Sequence, residues 1–208
     1  MIIDEFKQLP IMGILRGVKP DIIEPLTETV VSSGLRTVEI AMNTPGAPDL
    51  IRQMVKSADG RLTIGAGTVL NIDDLHHALE AGATFIVLPV LIPDVVEYCT
   101  SKAIPVFPGA LTPLEIYNAW KSGATMVKVF PAIFSGPEYF KEIKGPFQDI
   151  ELLACGGVKP DNVKEFFFCG ASAVAFGGSI FKTEWLRQQD FQSIETSIKY
   201  LITKGGII

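Results

Sequence analysis

The chain has 208 residues, of which 48% are hydrophobic and 20% are charged, and its formal net charge is −5. This length suits one substantial core, no apolar run reaches the roughly 18 residues of a membrane span, and no lysine or arginine cluster marks a nucleic-acid-binding surface. We therefore expect a single domain over residues 1–208, a small-molecule partner rather than a nucleic acid or a membrane, and a cytoplasmic location, because the first ten residues lack a signal-peptide pattern.

Short apolar runs alternate with longer segments of helical periodicity along the chain. The runs predict eight strands, at residues 11–16, 37–42, 62–66, 84–88, 105–107, 125–130, 151–154 and 172–176. Asn71 and Thr112 precede an acidic first turn or a proline, as helix N-caps do. Eight such units of roughly 25 residues predict a (β/α)8 barrel, with an open doubly wound sheet as the alternative. Residues 3–9 are expected to form a short helix across the lower end of the barrel.

Four segments repeat one pattern, in which a glycine separates a helix end from a buried strand. They read SSGLRTVEI, EAGATFIVL, KSGATMVKV and FCGASAVAF, and their glycines are Gly34, Gly82, Gly123 and Gly170. Glycine ends a helix easily because it adopts a left-handed backbone conformation without steric cost. The regular reuse of this connection favours a closed barrel.

The first two strands end with polar side chains on a predicted inward face. The alternation along the first strand ends at Arg16, whose guanidinium suits a carboxylate, a phosphate or an ordinary surface ion pair. In the second strand Glu39, Ala41 and Asn43 share one face. A glutamate inside a barrel is costly unless it is paired or titrated, so Glu39 is expected either to transfer protons or to form a structural ion pair with Lys128.

Two further segments shape the expected mouth of the barrel. The third strand ends in GAGTV, where Thr68 and the adjacent backbone donors suit a carboxylate, or where the glycines merely accommodate a neighbouring loop. Pro89 follows the fourth strand, and the sequence FPG at 107–109 follows the fifth. We expect these prolines to form the rim without taking part in chemistry.

The sixth strand carries a lysine within the apolar run VKVFPA at 127–132. Strand alternation places Met126, Lys128 and Phe130 on one face and Val127 and Val129 on the other. A lysine beside apolar residues usually extends to solvent from a strand edge, whereas a neutral amine inside a protein is a nucleophile. In a barrel Lys128 would point inward near the upper rim, where the catalytic residues of this fold lie, and this position favours a functional amine.

Two glycine pairs follow the last two strands. Gly156 and Gly157 come after the seventh strand, and Gly177 and Gly178 come after the eighth, followed by Ser179. These loops form the common phosphate site of the barrel fold, in which bare backbone N–H groups bind the anion. Tight turns that need positive φ are the alternative explanation.

Neither a metal site nor a disulfide framework is expected. His76 and His77 are adjacent within a predicted polar helix, and the carboxylates are not clustered at metal-ligand spacing. Cys99, Cys155 and Cys169 lack CxxC spacing, so buried thiols are expected.

The segments IMGILRG, VEIAMN, IGAGTVL, VKVFPA, CGGVKPDN and FGGS, in this order over nearly the whole chain, resemble the class I aldolases that cleave 2-keto-3-deoxy-6-phosphogluconate and 4-hydroxy-2-oxoglutarate. The resemblance implies a Schiff-base lysine at Lys128, a proton-transfer glutamate at Glu39, and Thr68 at the carboxylate of pyruvate. It implies that Gly156, Gly157, Gly178 and Ser179 lie at the substrate phosphate. It also implies a homotrimer and no cofactor, because the protonated imine is itself the electron sink.

Two departures from the family pattern bear on the substrate. Asn43 stands where several members have arginine four residues after the glutamate, and Cys155 stands where many have threonine before the glycine pair. Arg16 would then contact the carboxylate, and ILRG with Asn43 is similar to the branch that acts on 2-keto-3-deoxy-6-phosphogalactonate. A phosphosugar epimerase or isomerase, and a barrel that only binds a phosphorylated ligand, are the remaining alternatives.

Overall fold

The computed structural model describes residues 3–206, so the four terminal residues of the domain expected over 1–208 lie outside the described range. Within that range nine parallel strands form one sheet. Their bounds are β1 Ile11–Leu15, β2 Thr37–Ala41, β3 Thr63–Gly67, β4 Ile86–Val87, β5 Val106–Phe107, β6 Gly109–Ala110, β7 Val127–Val129, β8 Leu152–Cys155 and β9 Ala173–Phe176. The strand order is β5-β4-β3-β2-β1-β9-β8-β7-β6.

The sheet closes into a barrel through β5 and β6, which stand at opposite ends of that order and are separated in sequence only by Pro108. Backbone N–H groups near β7 donate to this segment on both sides of the proline: Thr125 to Val106 O at 2.9 Å, Lys128 to Pro108 O at 2.9 Å and Phe130 to Ala110 O at 3.0 Å. The prediction of a (β/α)8 barrel is therefore confirmed, and the open sheet is not. The fifth strand, expected to end at residue 107, instead continues beyond Pro108, whose missing N–H divides it in two.

The helices surround the barrel. Their bounds are α1 Ile3–Gln8, α2 Ile23–Ser32, α3 Ala47–Ala58, α4 Ile72–Glu80, α5 Pro93–Ser101, α6 Pro113–Lys121, α7 Ala132–Ser135, α8 Glu138–Lys144, α9 Val163–Phe168, α10 Thr183–Gln188 and α11 Phe191–Gly205, with a 3-10 turn at Pro20–Ile22. The predicted caps are present: Asn71 Oδ1 accepts from the Asp74 N–H at 2.8 Å, and Thr112 forms a reciprocal capping box with Glu115. No helix within residues 3–206 is both long enough and apolar enough to cross a bilayer.

The repeated glycines end helices in the way the sequence predicts. Gly34, Gly82, Gly123 and Gly170 have φ values of 85°, 99°, 95° and 97°. Each donates its N–H at 3.0 Å to a carbonyl in the last turn of the preceding helix, which directs the chain back into the barrel.

The apolar residues form two layers, and these layers confirm the predicted strand faces. Met126 packs inside the barrel with Met12, Phe85 and Phe107, whereas Val127 belongs to the layer between the strands and the helices. The predicted lower helix is α1, and its Phe6 closes the barrel floor edge-on against Phe107, with ring centroids 6.1 Å apart. The inner layer therefore fills the lower part of the barrel and leaves the upper end for polar groups. All three cysteines are buried free thiols, as expected.

Candidate active site

A cavity of about 660 Å3 opens at the C-terminal ends of the strands. Every site residue predicted from the sequence lines it. These residues are Arg16, Glu39, Asn43, Thr68, Pro89, Lys128, Phe130, Gly156, Gly157, Gly177, Gly178 and Ser179. Strand parity and position at the strand ends therefore identified residues that lie far apart in the sequence but line one cavity.

Lys128 is the middle residue of β7 and points into this cavity. It is only 5% exposed, so it does not extend to solvent from a strand edge. Its Nζ lies 5.1 Å from the centroid of the Phe130 ring, which covers one side of the amine. The lysine backbone is held within the barrel by parallel pairing to Gly109 and Leu153.

Glu39, on β2, lies within the same cavity and is 1% exposed. Burial raises the pKa of the Glu39 carboxyl above its ordinary value, although the charges of Lys128 and Arg16 act in the opposite direction. Within residues 3–206, Oε2 has no hydrogen-bond partner, and the carboxylate has no ion-pair partner within 4.0 Å. The structural ion pair with Lys128 is therefore not formed at contact distance, and one oxygen of this cavity-lining carboxyl is buried without a hydrogen-bond partner.

Arg16 and Thr68 lie together at one side of the mouth. Arg16 follows β1 and donates from Nη2 to Thr68 Oγ1 at 3.2 Å. Thr68 follows β3 with φ of 56°, a left-handed conformation that costs a β-branched residue on the order of 1–3 kcal/mol. Such strain is typical of functional positions, and here it turns the hydroxyl toward the guanidinium. Asn43 also lines the cavity but is exposed, and within the described residues it forms no hydrogen bond with Arg16 or Thr68.

The two glycine loops follow β8 and β9 at the same mouth, and β9 pairs with β1. Gly156 and Gly157 have φ values of 93° and 82°, so their turns require glycine. Within the described residues, the backbone N–H groups of Gly178 and Ser179 donate to no protein acceptor. They are therefore available to an anion. The Ser179 hydroxyl donates to Val158 O at 2.7 Å and fixes one loop against the other.

Four more residues line the cavity that the sequence did not assign to it: Ile14, Cys155, Phe181 and Thr183. Strand parity would have placed Ile14 and Cys155 on the inward faces of β1 and β8. Cys155 is 3% exposed, and burial raises the pKa of its thiol. It is therefore an uncharged cavity-lining side chain near Lys128. Phe181 and Thr183 belong to the segment after β9, whose path no sequence periodicity specifies.

Comparison with known proteins places this geometry in one family. A family model described as KDPG and KHG aldolase matches residues 2–197. Over 176 residues the chain is 31% identical to the 2-dehydro-3-deoxy-6-phosphogalactonate aldolase of Escherichia coli (strain K12), a match that covers 84% of this chain and 86% of the relative. Over 190 residues it is 32% identical to the 2-dehydro-3-deoxy-phosphogluconate aldolase of Haemophilus influenzae, covering 91% and 89%.

A solved structure gives the same result. The 2-keto-3-deoxy-6-phospho-gluconate aldolase from Zymomonas mobilis ATCC 29191 superimposes with a TM-score of 0.85 and 26% identity, over 96% of each chain. The family match covers nearly the whole sequence, and the fold is shared over the same length. The chain therefore belongs to the KDPG and KHG aldolase family.

Proposed function

We propose that this aldolase cleaves 2-dehydro-3-deoxy-6-phosphogluconate to pyruvate and glyceraldehyde 3-phosphate through a Schiff base at Lys128. The observation that carries the proposal is the pair of buried groups Lys128 and Glu39, an amine and an unpaired carboxyl oxygen that share one cavity. Two groups of anion donors line the same cavity, Arg16 with Thr68 and the two glycine loops, which suits a substrate that carries both a carboxylate and a phosphate.

In the proposed mechanism the neutral Lys128 amine attacks the keto carbon of the substrate. Glu39, directly or through a water, transfers protons while the carbinolamine loses water to give the imine. Glu39 then takes the proton of the C4 hydroxyl as the C3–C4 bond breaks, which leaves an enamine of pyruvate and releases the aldehyde. Protonation and hydrolysis of the enamine free pyruvate and the lysine. The raised pKa of the Glu39 carboxyl supports this role, because a general acid/base works best when its pKa is shifted toward the operating pH.

Arg16 is proposed as the carboxylate donor in place of the arginine that Asn43 replaces. Arg16 already contacts Thr68, the other expected carboxylate ligand, whereas Asn43 is exposed at the rim. A hydrogen bond from a charged donor contributes about 1.5–3 kcal/mol, so Arg16→Ala is expected to raise KM roughly 10- to 150-fold, and Asn43→Ala much less. A larger KM effect from Asn43→Ala would transfer the role to that residue.

The galactonate epimer is a second candidate substrate, because the Escherichia coli relative carries that name and because Asn43 departs from the gluconate pattern. Both candidates, and 4-hydroxy-2-oxoglutarate, are tested by a coupled pyruvate-release assay run side by side on purified protein. We expect the highest kcat/KM with the gluconate substrate. A preference for the galactonate substrate would overturn this choice while preserving the chemistry, and release of pyruvate from none of the three would contradict the proposed function.

A homotrimer is proposed as the assembly. Large apolar side chains are exposed on the outside of the barrel, with Phe134 on α7 at 85% and Phe168 on α9 at 87%. Large exposed apolar patches mark interaction surfaces, and we propose that these two rings belong to the surfaces between subunits. Sedimentation equilibrium is expected to give a mass of three chains of 22.6 kDa each, and a monomer would contradict the assembly. The cytoplasmic location expected from the sequence stays a prediction.

A further inference from the structure

The Glu39 carboxyl occupies a volume that is free only because residue 67 has no side chain. Gly67 ends β3, next to β2 in the sheet, and Ala41 on β2 is its register partner. A Cβ at Gly67 would lie 2.1 Å from Glu39 Oε1, 2.4 Å from Cδ and 2.9 Å from Oε2. Real Cβ atoms do not approach other atoms this closely, so the carboxyl occupies the volume that any other residue at position 67 would need.

The glycine is not required by the backbone. Gly67 is not among the glycines with positive φ, so its backbone conformation is open to L-residues. The sequence motif GAGT is therefore explained at this position by space rather than by a turn. This distinguishes Gly67 from Gly156 and Gly157, which need glycine for their left-handed conformation.

The strand end that carries Gly67 is fixed and has little freedom to give way. Its carbonyl accepts from the Met42 N–H at 2.7 Å, and the flanking residues Ala66 and Val69 donate to Phe85 O at 3.1 Å and Val87 O at 3.4 Å. The peptide is thus held from both neighbouring strands. A methyl group at position 67 would have to displace the Glu39 side chain instead.

We propose that Gly67 is a positioning residue for the aldolase reaction, an empty side-chain site that sets where the Glu39 carboxyl stands relative to Lys128. The inference rests on the proposed role of Glu39. Gly67 has no side chain that could take part in the reaction, and it acts by leaving room for the carboxyl that transfers protons. Any side chain at position 67 moves the acid out of reach while the lysine and the anion donors stay in place.

The test is a set of substitutions around this contact. Gly67→Ala is expected to lower kcat by ~10²–10⁴-fold, the range of a general acid/base contribution, with a much smaller change in KM. It should also alter the acid limb of the kcat pH profile, which a merely structural role would not move. Pyruvate trapping at Lys128 by borohydride should persist, because the amine is untouched.

The compensating variant is Glu39→Asp, because aspartate is one methylene shorter and withdraws the carboxyl from position 67. Alone, Glu39→Asp should lower kcat; in the Gly67→Ala background it should raise kcat by about tenfold, within the general acid/base range. Gly65→Ala is the matched control: its Cβ would lie 2.5 Å from the Phe85 ring, so its closest clash is with the apolar core rather than with the acid. It should lower the melting temperature and leave the pH profile unchanged.

Wild-type kcat, pH profile and melting temperature in Gly67→Ala would overturn the inference. If Gly67→Ala unfolds, a double-mutant cycle measured by stability decides. Glu39→Ala in the Gly67→Ala background should restore the melting temperature. Purely additive losses of stability would refute the contact. A wild-type protein that releases no pyruvate would defeat the proposed function instead, and the stability cycle would still test Gly67 against Glu39.

Discussion

Lys128→Ala is expected to abolish pyruvate release, with a loss that approaches the ~10⁶-fold fall in kcat seen when an enzyme loses its nucleophile. The reason is geometric as well as chemical. Lys128 is a cavity-lining amine that is 5% exposed, and imine formation cannot proceed without a neutral primary amine at this point. Turnover by the purified variant in the coupled assay measures the loss directly.

Borohydride reduction in the presence of pyruvate provides the positive form of the same prediction. The reduced adduct should add one pyruvate-derived group at Lys128, located by peptide mass spectrometry. Lys128→Arg keeps a cation at the site, yet a guanidinium is always protonated and forms no imine, so it should be inactive and unlabelled. Lys121→Ala, on the exposed end of α6, should retain both activity and labelling. A label at another lysine would refute the assignment.

The parts of this site that the sequence predicted share one physical origin. Glu39 and Lys128 lie on regular strands, where side chains alternate between two faces. Deciding which face of each strand points inward therefore places both residues inside the barrel. The helix-ending glycines follow from local backbone preference in the same way. Both kinds of inference need only neighbouring residues, and both were confirmed by the structure.

The features that were missed depend on contacts between segments far apart in the sequence. Pro108 divides the fifth strand, yet β6 continues beyond it because β7 supplies donors to it. The Ser179 hydroxyl binds Val158 O of the neighbouring loop, a partner 21 residues away that no local pattern indicates. Phe181 and Thr183 reach the cavity because of the path taken after β9. Loops at a barrel mouth are shaped by one another, and this coupling has no periodic signature.

Glu39→Gln is expected to lower kcat by ~10²–10⁴-fold, because the amide is nearly isosteric but neither gives nor takes a proton at neutral pH. Imine formation should survive at a reduced rate, so borohydride and pyruvate should still label Lys128. Loss of turnover with retained labelling separates the proton-transfer role of Glu39 from the nucleophile. Loss of both would indicate that Glu39 holds Lys128 in place, and unchanged kcat would remove Glu39 from the mechanism.

The pH dependence of stability gives an independent measure of the same carboxyl. Its pKa is raised in the folded state by burial, so between the ordinary glutamate pKa, about 4.3, and the folded value the native protein holds a proton that the unfolded chain has released. The free energy of unfolding therefore falls as pH rises through this window. Glutamine does not titrate in this range. The melting temperature of Glu39→Gln minus that of wild type should therefore increase as pH rises between the two pKa values, and then level off. Glu80→Gln, at an exposed position on α4, is the control. A constant difference at all pH values would mean that the Glu39 carboxyl ionises as easily inside the barrel as in water, which would contradict the raised pKa.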